Sequence, residues 1–309
     1  MNDEVTIVTA FFPIQREKWR GFERGDLKYL EYFKFWACIK NDLIIYTTPE
    51  YEKAVLDIRK SYGRDNTKVI VIKKIEDIDK EIFECIKKVS ENELSTQFHI
   101  NSTFPESWNP YYNYVVILKE WCVQDAVKNN PKLNYIVWID FGFNHGGEYY
   151  TNSGDFDFEL KIDNLKHGKI HLFTINDIDY LPVFETVRRM DSFIQGNFIC
   201  GEASLWNQLW NIMRENIIAL GKVGLMDDDQ TILLMAYYQE PELFELHKTN
   251  RWFDEFSFCC PYKNFEVKKE KEKSFLFFRK LKRRALNRIK MKKYTNKWYK
   301  ILRDNEMKG

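Results

Sequence analysis

Residues 134–147 read Asn134-Tyr-Ile-Val-Trp-Ile-Asp140-Phe-Gly-Phe-Asn144-His145-Gly-Gly147. The run from Tyr135 to Ile139 is continuously apolar and rich in β-branched and aromatic side chains, and a polar segment with glycines follows it at once. This pattern predicts a fully buried strand that ends at Asp140. Because ligands bind at the carboxyl edge of the strands in an open α/β sheet, Asp140 is a candidate ligand-binding residue. Aspartate also initiates turns, so an ordinary structural role is equally consistent with this stretch alone.

Strands and helices alternate around this stretch. Strands are predicted at residues 5–12, 42–48, 68–72, 169–175 and 243–246, and a short strand is predicted between the glycines at 196 and 201. Between the second and third of them, Pro49 opens a helix that runs from Glu50 to Tyr62. Strand, helix, strand alternation is typical of right-handed βαβ units. The sequence therefore predicts an α/β fold with a mainly parallel central sheet flanked by helices.

Composition and length bound the class of protein. At 309 residues, with 44% hydrophobic and 16% aromatic residues, the chain can bury the core of one large α/β domain or of two small ones. It has no run of 18 apolar residues, and its acidic start is unlike a secretory signal. We therefore expect a cytoplasmic location. The six cysteines lack the CxxC spacing of a zinc site and are expected to be buried, reduced thiols.

Charge divides the chain into two unequal parts. Residues 263–309 hold 18 Lys and Arg against 5 Asp and Glu, a net charge of +13, whereas residues 1–262 hold 29 against 41, a net charge of −12. A basic segment of this length next to an acidic body predicts two regions with different roles. We expect a main domain over residues 1–262 and a helical tail over residues 263–309.

Residues 274–303 of that tail have the periodicity of a basic amphipathic helix. Apolar residues recur at three- and four-residue steps, with Lys and Arg between them, at Phe278, Leu281, Ala285, Ile289, Tyr294, Trp298, Ile301 and Leu302. We expect this helix to bind the anionic inner face of the cytoplasmic membrane, where each nearby Lys or Arg contributes about 1 kcal/mol. No nucleic-acid partner is expected, because the acidic body would repel a duplex and no reading motif is present. The structural alternative is a helix that packs against the acidic body.

The end of the first predicted strand is a candidate for contact with a phosphorylated ligand. Thr9, Ala10 and Phe11 close this strand, on the same edge of the sheet as Asp140. The polar loop that follows carries four basic residues, Arg16, Lys18, Arg20 and Arg24. We expect Arg16 in particular to meet phosphates, although each of the four is also consistent with solvated surface.

Two lysines are further candidates for phosphate binding. Lys119 lies among apolar neighbours in a long helix predicted at residues 112–128, where a lysine usually extends its ammonium group to solvent. The functional alternative is that its ammonium group reaches a diphosphate. Lys248 follows the last predicted strand, and we assign it the same role.

Three consecutive carboxylates, Asp227, Asp228 and Asp229, precede an apolar helix predicted at residues 231–238. Asp227 with Gln230 three residues later matches a capping box, and further acids favour a helix N-terminus, so a structural account exists. Three acids nevertheless exceed the need of a cap. A carboxylate held opposite a cation or the hydroxyl groups of a sugar can act as a general base.

Two histidines lie in or after predicted strands. His171 alternates with apolar neighbours, which indicates an ordinary sheet residue. His247 follows the strand at residues 243–246, and beside Asp140 it would complete a mixed oxygen and nitrogen site suited to Mn²⁺ or Mg²⁺. Taken alone, His247 is typical of a surface histidine.

Five ordered segments resemble the HtrL/YibB family of bacterial proteins over residues 4–260. They are VTIVTAFF, FWACIKNDLIIYTT, NPYYNYVVILKEWCVQDAV, YIVWIDFGFNHGG and DDDQTI. That family is similar to nucleotide-diphospho-sugar glycosyltransferases of the GT-A type, and its members are associated with assembly of surface polysaccharide. The resemblance therefore implies a GT-A-like, Rossmann-related domain over residues 1–262, followed by the basic helical extension.

The resemblance also implies a metal site. In GT-A enzymes, an Asp-x-Asp motif at the end of a strand binds the divalent cation, Mn²⁺ or Mg²⁺, that bridges the diphosphate of the donor. Asp140 matches the first acid of this motif, whereas Gly142 stands at the third position. The missing ligand would have to come from Asn144, His145 or His247, and several such families use a histidine after the last core strand. Asp140 and His247 are therefore the expected metal ligands.

The same resemblance implies the catalytic base. The acidic cluster matches the position at which inverting GT-A enzymes keep this carboxylate, so that Asp229 is the first candidate and Asp228 the second, with Asp227 as the helix cap. The carboxylate would accept the proton of the acceptor hydroxyl while the cation offsets the charge of the departing nucleoside diphosphate.

The leading functional hypothesis is a metal-dependent, inverting hexosyltransferase. Its donor would be a nucleotide-diphospho-sugar, with UDP-sugars favoured, and its acceptor a saccharide or lipid-linked saccharide in the synthesis of O-antigen, lipopolysaccharide or capsule. The alternative is a non-catalytic scaffold of the same fold that binds a nucleotide sugar or carbohydrate, because the Asp-x-Asp motif is incomplete. Phosphoester hydrolysis is disfavoured, since two-metal sites need more ligands than five scattered histidines and one strand-end aspartate supply.

Overall fold

The computed structural model describes residues 4–162, 164–178, 181–269, 289 and 291–304. Within these residues, seven strands form one sheet: β1 (Val5–Phe11), β2 (Leu43–Thr47), β3 (Thr67–Val71), β4 (Tyr135–Ile139), β5 (Ile170–Thr174), β6 (Ile194–Glu202) and β7 (Phe244–Lys248). The order of the strands across the sheet is β3-β2-β1-β4-β6-β5-β7. β6 is antiparallel to β4 and β5, and the other four pairings are parallel. The predicted α/β fold with a mainly parallel sheet is therefore confirmed.

Helices flank the sheet. In the described parts of the chain these are α1 (Asp26–Trp36), α2 (Glu52–Ser61), α3 (Lys80–Ser90), α4 (Glu93–Phe98), α5 (Pro105–Trp108), α6 (Pro110–Lys128), α7 (Val183–Arg189), α8 (Trp206–Lys222), α9 (Asp229–Gln239) and α10 (Glu255–Cys259). Helix α6 has a strong start signal, because the Asn109 side chain accepts a hydrogen bond from the Tyr112 N–H at 3.0 Å and Pro110 occupies the first helical position. This helix packs on β1 and β4 and carries Lys119 in its middle.

Successive side chains along the strands alternate between two hydrophobic cores, one on each face of the sheet. In β4, Trp138 packs into the first core with residues of α3, α6, α8 and α9, whereas Val137 packs into the second core with residues of α1, α2 and α10. In β1, Val8 and Ile7 divide between the cores in the same way. The odd or even position of a residue in its strand therefore decides which face of the sheet its side chain joins.

The order of the strands reverses between β1 and β4. From β1 the chain builds β2 and β3 on one side, and it then returns to place β4 on the other side. In open α/β sheets, ligands bind outside the carboxyl ends of the strands at such a switch point. β1 ends at Phe11 and pairs in parallel with β4, which Asp140 follows directly. The prediction that the end of the first strand and Asp140 share one edge of the sheet is confirmed.

The chain continues along the body after Tyr262. Phe265 is buried in the second core, and Val267 forms an isolated β-bridge with Tyr150. The division of the chain at residue 262 stays a prediction. Three residues of the predicted apolar stripe of the tail, Phe278, Leu281 and Ala285, lie outside the described residues.

Residues 291–304 form a C-terminal helix. The hydroxyl group of Tyr294 donates a hydrogen bond to the Phe98 carbonyl oxygen at 2.6 Å, and the ring of Trp298 lies edge-on to the ring of Phe98, with centroids 6.1 Å apart. The guanidinium of Arg188 lies 5.4 Å from the centroid of the Tyr294 ring. This helix therefore packs against α4 and α7 through its aromatic residues. Among the described residues, no helix combines the length and apolar character needed to cross a membrane.

Candidate functional site

A cavity of about 250 Å³ opens at the switch point of the sheet. The ends of β1 and β4 form its floor, and the loop after β1, helix α6 and the start of α9 form its walls. Its volume is close to the lower end of the range of about 300–1,000 Å³ that is typical of small-molecule sites. The charged residues on its wall are Arg16, Arg24, Asp26, Lys119, Asp140, Asp228 and Asp229. Most of the candidate residues that the sequence indicates therefore meet in one place.

Lys119 joins two of the candidate carboxylates at the centre of the cavity. Its ammonium nitrogen lies 3.0 Å from Oδ1 of Asp140 and 2.8 Å from Oδ2 of Asp229, and it donates a hydrogen bond to the Gly196 carbonyl oxygen at 3.0 Å. The indole N–H of Trp138 donates to Oδ1 of Asp140 at 2.8 Å. Lys119 is buried, so its ammonium group does not reach solvent and its charge is compensated inside the protein.

Gly196 makes room for this cluster. A Cβ atom at position 196 would lie 1.8 Å from Oδ2 of Asp229, which is far inside van der Waals contact. A side chain at this position of β6 would therefore displace the carboxylate from Lys119. The group that approaches the backbone at Gly196 is therefore the Asp229 side chain.

The pKa values of Asp228 and Asp229 at the start of α9 are raised. Burial raises the pKa of Asp229, although the neighbouring Lys119 ammonium opposes this effect. Burial, followed by the charge of Asp227, raises the pKa of Asp228 well above its ordinary value. Burial lowers the pKa of Lys119, but the charges of Asp140 and Asp229 outweigh it and the net pKa is raised. Asp229 is thus the acid of the cluster whose ionised form has a direct cationic partner.

The N-cap of helix α9 is Asp228, so the predicted cap at Asp227 is wrong by one residue. Oδ1 of Asp228 accepts a hydrogen bond from the Gln230 N–H at 3.1 Å, and the helix begins at Asp229. Asp227 instead accepts from the Asp228 N–H at 3.0 Å and from the Thr231 hydroxyl at 2.7 Å. Burial raises the pKa of Asp227 to about 7. Because the cap lies one residue further along, Asp229 is the first residue of α9, and its carboxylate faces Lys119.

Two arginines from the loop after β1 reach into the cavity. The guanidinium of Arg16 donates to the Phe22 carbonyl oxygen at 3.2 Å and to the Tyr29 hydroxyl at 2.8 Å. Nη1 of Arg24 lies 3.2 Å from Nε2 of His145, and its guanidinium sits over the ring of Tyr29. Among the described residues, neither guanidinium forms an ion pair with a carboxylate. Both positive charges are therefore left for an anionic ligand.

The loop after Asp140 has a structural reason for its departure from Asp-x-Asp. A Cβ atom at Gly142 would lie 3.3 Å from the Tyr29 ring, so a longer side chain there would press on this ring. Asn144 has a positive φ of 59°, and its Oδ1 accepts hydrogen bonds from the N–H groups of Tyr149 and Tyr150 at 2.8 and 2.9 Å. The Asn144 side chain therefore holds the loop and does not supply a metal ligand.

His145 lines the cavity but already has two partners. Its Nδ1 lies 2.7 Å from a carboxylate oxygen of Glu148, and its Nε2 faces Arg24. Burial lowers the pKa of His145. A neutral imidazole that donates from Nδ1 to Glu148 and accepts from Arg24 at Nε2 satisfies both contacts. His145 therefore positions Arg24.

The prediction that His247 joins Asp140 in one metal site is wrong. β7 extends to Lys248, so His247 lies inside the strand, where its alternation places it on the second face with Phe173, whereas Asp140 lies on the first face with Trp138 and Lys119. β4 and β7 are three strands apart, a separation of about 14 Å.

His247 has a different partner. Its Nε2 lies 2.8 Å from Nδ1 of His171 within a pair of parallel rings, and burial lowers the pKa of His247 to about 4. Both histidines are therefore neutral structural residues of the sheet at physiological pH, as the sequence indicated for His171.

Two predicted phosphate-binding residues also lie outside the cavity. Lys248 is exposed, and its ammonium nitrogen lies 2.7 Å from a carboxylate oxygen of Asp177. Thr9 is fully buried in β1 on the second face of the sheet, so its hydroxyl group does not reach the cavity wall. Ala10, Phe11, Arg16 and Lys119 do line the cavity. The predictions for Thr9 and Lys248 are wrong for the same reason. The position of a residue near the end of a strand does not fix the direction of its side chain.

Two buried acids behind the cavity were missed from the sequence. Glu255 of α10 accepts a hydrogen bond at 3.0 Å from the amide of Asn197, which lines the cavity, and burial raises the pKa of Glu255 to about 8. Glu120 is fully buried, neither carboxylate oxygen has a hydrogen-bond partner among the described residues, and burial raises its pKa well above the ordinary value. The sequence does contain a signal for Glu120, because this acid stands next to a lysine inside an apolar helix.

Solved structures that match this chain in a structural comparison include two transferases. One is a glycosyltransferase involved in the glycosylation of the major capsid of PBCV-1, with 11% sequence identity, a TM-score of 0.37, and coverage of 79% of this chain and 81% of that chain. The other is a cytidylyltransferase from Leptospira borgpetersenii serovar Hardjo-bovis (strain JB197), with 13% identity, a TM-score of 0.36, and coverage of 80% of this chain and 76% of that chain.

Sequence comparison gives a much stronger relation. Protein HtrL of Escherichia coli (strain K12) is 31% identical over 275 residues, which is 83% of this chain and 92% of that protein. The family model described as "Bacterial protein of unknown function (HtrL_YibB)" matches residues 3–260. This range contains Asp140, Lys119 and the acidic cluster at the start of α9. The resemblance inferred from the five ordered segments is therefore confirmed, and the chain belongs to the HtrL_YibB family.

Proposed function

We propose that this protein is a glycosyltransferase that uses a nucleotide-diphospho-sugar donor. The observation that carries the proposal is the cavity at the switch point, where a buried Lys119 with two carboxylates lies beside two arginines that have no ion-pair partner among the described residues. Such a cavity offers positive charge for phosphates and carboxylates for hydroxyl groups. Its aromatic wall, which includes Tyr112 and Trp252, suits a sugar or a base.

The proposed reaction transfers the sugar to an acceptor hydroxyl with inversion. The hydroxyl oxygen attacks the anomeric carbon, the bond from that carbon to the diphosphate oxygen breaks, and the bonding electrons leave on the diphosphate. The proton of the hydroxyl group passes to the carboxylate of Asp229. The raised pKa of Asp229 favours this role, because a base works best when its pKa lies near the working pH. Asp228 stays the second candidate.

We favour a UDP-sugar as donor and a saccharide, free or lipid-linked, as acceptor in the synthesis of bacterial surface polysaccharide. These assignments come from the resemblance to GT-A enzymes and make the proposed function specific enough to test. They also suggest that the protein works at the inner face of the cytoplasmic membrane, where lipid-linked acceptors are found.

The divalent cation implied by the resemblance does not fit the observed residues well. Of the expected ligands, only Asp140 lies in the cavity. Its Oδ1 already accepts a hydrogen bond from Trp138 and lies 3.0 Å from the Lys119 ammonium nitrogen. Within the described ranges, no three His, Cys, Asp or Glu side chains are grouped so that they could hold a metal ion. Cation binding by Asp140 therefore stays an untested prediction, and no step of the proposed reaction depends on it.

A panel of nucleotides tests the proposed function. We expect at least one nucleoside diphosphate, UDP first, to bind the purified full-length chain with a dissociation constant at or below about 100 μM in calorimetry, a moderate affinity for one ligand in a pocket of this size. Its nucleotide sugar should then release nucleoside diphosphate in the presence of the protein. Nucleotide-sugar binding without turnover on any acceptor would favour the scaffold alternative. Failure of all nucleotides to bind would refute the proposal.

We also propose that the C-terminal helix binds an anionic membrane surface. Tyr294 and Trp298 are used in packing against the body, which supports part of the structural alternative. On the solvent side of the helix, however, Tyr299 and Leu302 are 69% and 41% exposed among exposed lysines. Exposed apolar residues beside basic residues are typical of a helix at a lipid headgroup interface.

Replacement of four exposed lysines by glutamine should abolish membrane binding. The changed residues are Lys292, Lys293, Lys297 and Lys300. We expect the unchanged protein to float with vesicles that contain anionic lipid at low salt and to detach at high salt, since each lysine contributes about 1 kcal/mol. A truncation after Lys269, which keeps the buried Phe265, should also fail to float. Equal flotation of all three proteins would leave the helix with a structural role alone.

A further inference from the structure

The cation at the centre of the cavity is already part of the protein. Lys119 has three N–H donors, and Asp140, Asp229 and the Gly196 carbonyl oxygen supply an acceptor for each of them. The two carboxylates approach this one ammonium from α9 and from the end of β4, which is the arrangement expected around a bound cation. The ammonium group therefore fills the space between the two acids.

A divalent ion and this ammonium group exclude each other. Mn²⁺ or Mg²⁺ binds carboxylate oxygens at about 2.0–2.2 Å, and the observed distances of 2.8 and 3.0 Å from the ammonium nitrogen leave no room for a second cation between the same two acids. The buried lysine would have to leave its three acceptors and find new ones before a metal ion could enter. The carboxylates of Asp140 and Asp229 are thus neutralised by the chain itself.

Outside the cluster around Lys119, the positive charges on the cavity wall are those of Arg16 and Arg24. Arg16 is held by the Tyr29 hydroxyl and by the rings of Trp19 and Tyr112, which lie 5.7 and 5.6 Å from its guanidinium carbon. These partners fix the guanidinium group without removing its charge. Planar guanidinium groups bind phosphate oxygens through paired N–H donors.

Arg16 and Arg24 share their part of the cavity wall with one acid, Asp26. Arg24 is held by His145 and by aromatic rings. Asp26, the acid on the same part of the cavity wall, accepts a hydrogen bond from the Tyr51 hydroxyl at 2.6 Å. The wall beside Arg16 and Arg24 therefore has a net positive charge that a diphosphate can neutralise.

We propose that this cavity binds a nucleoside diphosphate without a divalent cation, with Arg16 and Arg24 on the phosphates and the Lys119 ammonium in the position between Asp140 and Asp229 that a metal ion would take. This inference rests on the proposed function and adds how the donor is recognised. The arginines then also carry the charge that develops on the departing diphosphate.

Calorimetry with UDP, or with whichever nucleoside diphosphate binds best, tests the inference. We expect the dissociation constant in EDTA to lie within about threefold of that in excess Mn²⁺, because no metal takes part in binding. Arg16→Gln and Arg24→Gln should each weaken binding at least about tenfold in both conditions. Arg20→Gln is the matched control, because Arg20 lies in the same loop, is exposed and does not line the cavity.

A second variant gives a readout that does not depend on activity. In Lys119→Met the two carboxylates lose their ammonium partner, and we expect Mn²⁺ to enter the space and raise the melting temperature by at least about 3 °C, whereas Mn²⁺ should leave the melting temperature of the unchanged protein the same. If Lys119→Met fails to fold, the calorimetry in EDTA still decides the question.

The outcomes separate the two proposals. Binding of the nucleotide in Mn²⁺ but not in EDTA would overturn the metal-free inference while supporting the proposed function. Binding that is unchanged in Arg16→Gln and Arg24→Gln would overturn the assignment of the phosphates to these residues. Absence of binding in both conditions would refute the proposed function, and the inference with it.

Discussion

Lys119→Met is expected to lower the free energy of unfolding by about 3–5 kcal/mol at pH 7.5, the usual cost of removing one partner from a buried ion pair. Methionine keeps most of the volume of the lysine stem in the middle of α6, so the loss comes mainly from the charge. Asp140 and Asp229 would be left together without the ammonium group that now lies 3.0 and 2.8 Å from their oxygens. Urea denaturation measures the change.

The loss of unfolding free energy in Lys119→Met should become smaller as the pH falls. Burial raises the pKa of Asp229 even in the presence of Lys119, and in Lys119→Met the charge and the hydrogen bond of the ammonium group no longer oppose this effect. A carboxyl group with a higher pKa in the folded than in the unfolded state binds its proton more tightly when folded, so its unfavourable contribution is largest above the folded pKa and decreases as the pH falls through it. We therefore expect a smaller difference from the unchanged protein at pH 5.5 than at pH 7.5.

A matched control separates charge from general effects of the substitution. Lys128 lies in the same helix and is exposed, so Lys128→Met should change the free energy of unfolding by less than about 0.5 kcal/mol. A similar small effect of Lys119→Met, or a deficit that does not depend on pH, would contradict the description of Lys119 as the charge partner of the two aspartates.

The parts of the fold that the sequence predicted are those with strong local signals. The continuous apolar run from Tyr135 to Ile139 is β4 to the residue, because only a strand buried on both faces needs apolar side chains at every position. The position of Asp140 at the switch point followed from that strand and from the parallel pairing of β4 with β1. The sheet and its ligand-binding edge could therefore be predicted.

The direction of a side chain at the end of a strand could not be predicted. β7 ends at Lys248, two residues beyond the predicted end at Leu246, so that His247 is an inward-facing strand residue and not part of a loop. Successive side chains alternate between the faces of a sheet. An error of one or two residues in the predicted end of a strand therefore changes the face on which a side chain lies, and whether the residue belongs to the strand or to a loop. The shift of the α9 cap from Asp227 to Asp228 has the same effect on the acidic cluster.

The partners of Lys119 are long-range contacts that local patterns do not contain. The sequence offered two roles for this residue, a side chain that extends to solvent and a ligand of a diphosphate. The structure shows a third, because Asp229 lies 110 residues further along the chain and meets the ammonium group only when α9 packs beside α6. Gly196 on β6 completes the arrangement, since any side chain there would occupy the place of the Asp229 carboxylate.

If the proposed function holds, we expect Asp229 to be the residue most sensitive to substitution in catalysis. Asp229→Asn is expected to lower turnover of the nucleotide sugar by about 10²–10⁴-fold, the usual contribution of a general base, while the dissociation constant of the donor stays within about threefold. Asparagine keeps the size of the side chain and an oxygen that can accept the hydrogen bond of Lys119, but it cannot accept a proton from the acceptor. Release of nucleoside diphosphate, with water as acceptor if no saccharide is known, provides the assay.

Asp228→Asn is the matched control for this prediction, because both residues line the cavity and both substitutions replace a carboxyl group by an amide of nearly the same size. Asparagine is as good an N-cap as aspartate, so α9 should keep its start and the stability of the protein should change little. Burial together with Asp227 raises the pKa of Asp228 well above its ordinary value, which favours the neutral form and makes it a poor base at neutral pH. We therefore expect less than about a tenfold loss of turnover in Asp228→Asn. A large loss in Asp228→Asn with near-normal turnover in Asp229→Asn would move the base to Asp228, and loss of donor binding in Asp229→Asn would make Asp229 a binding residue instead.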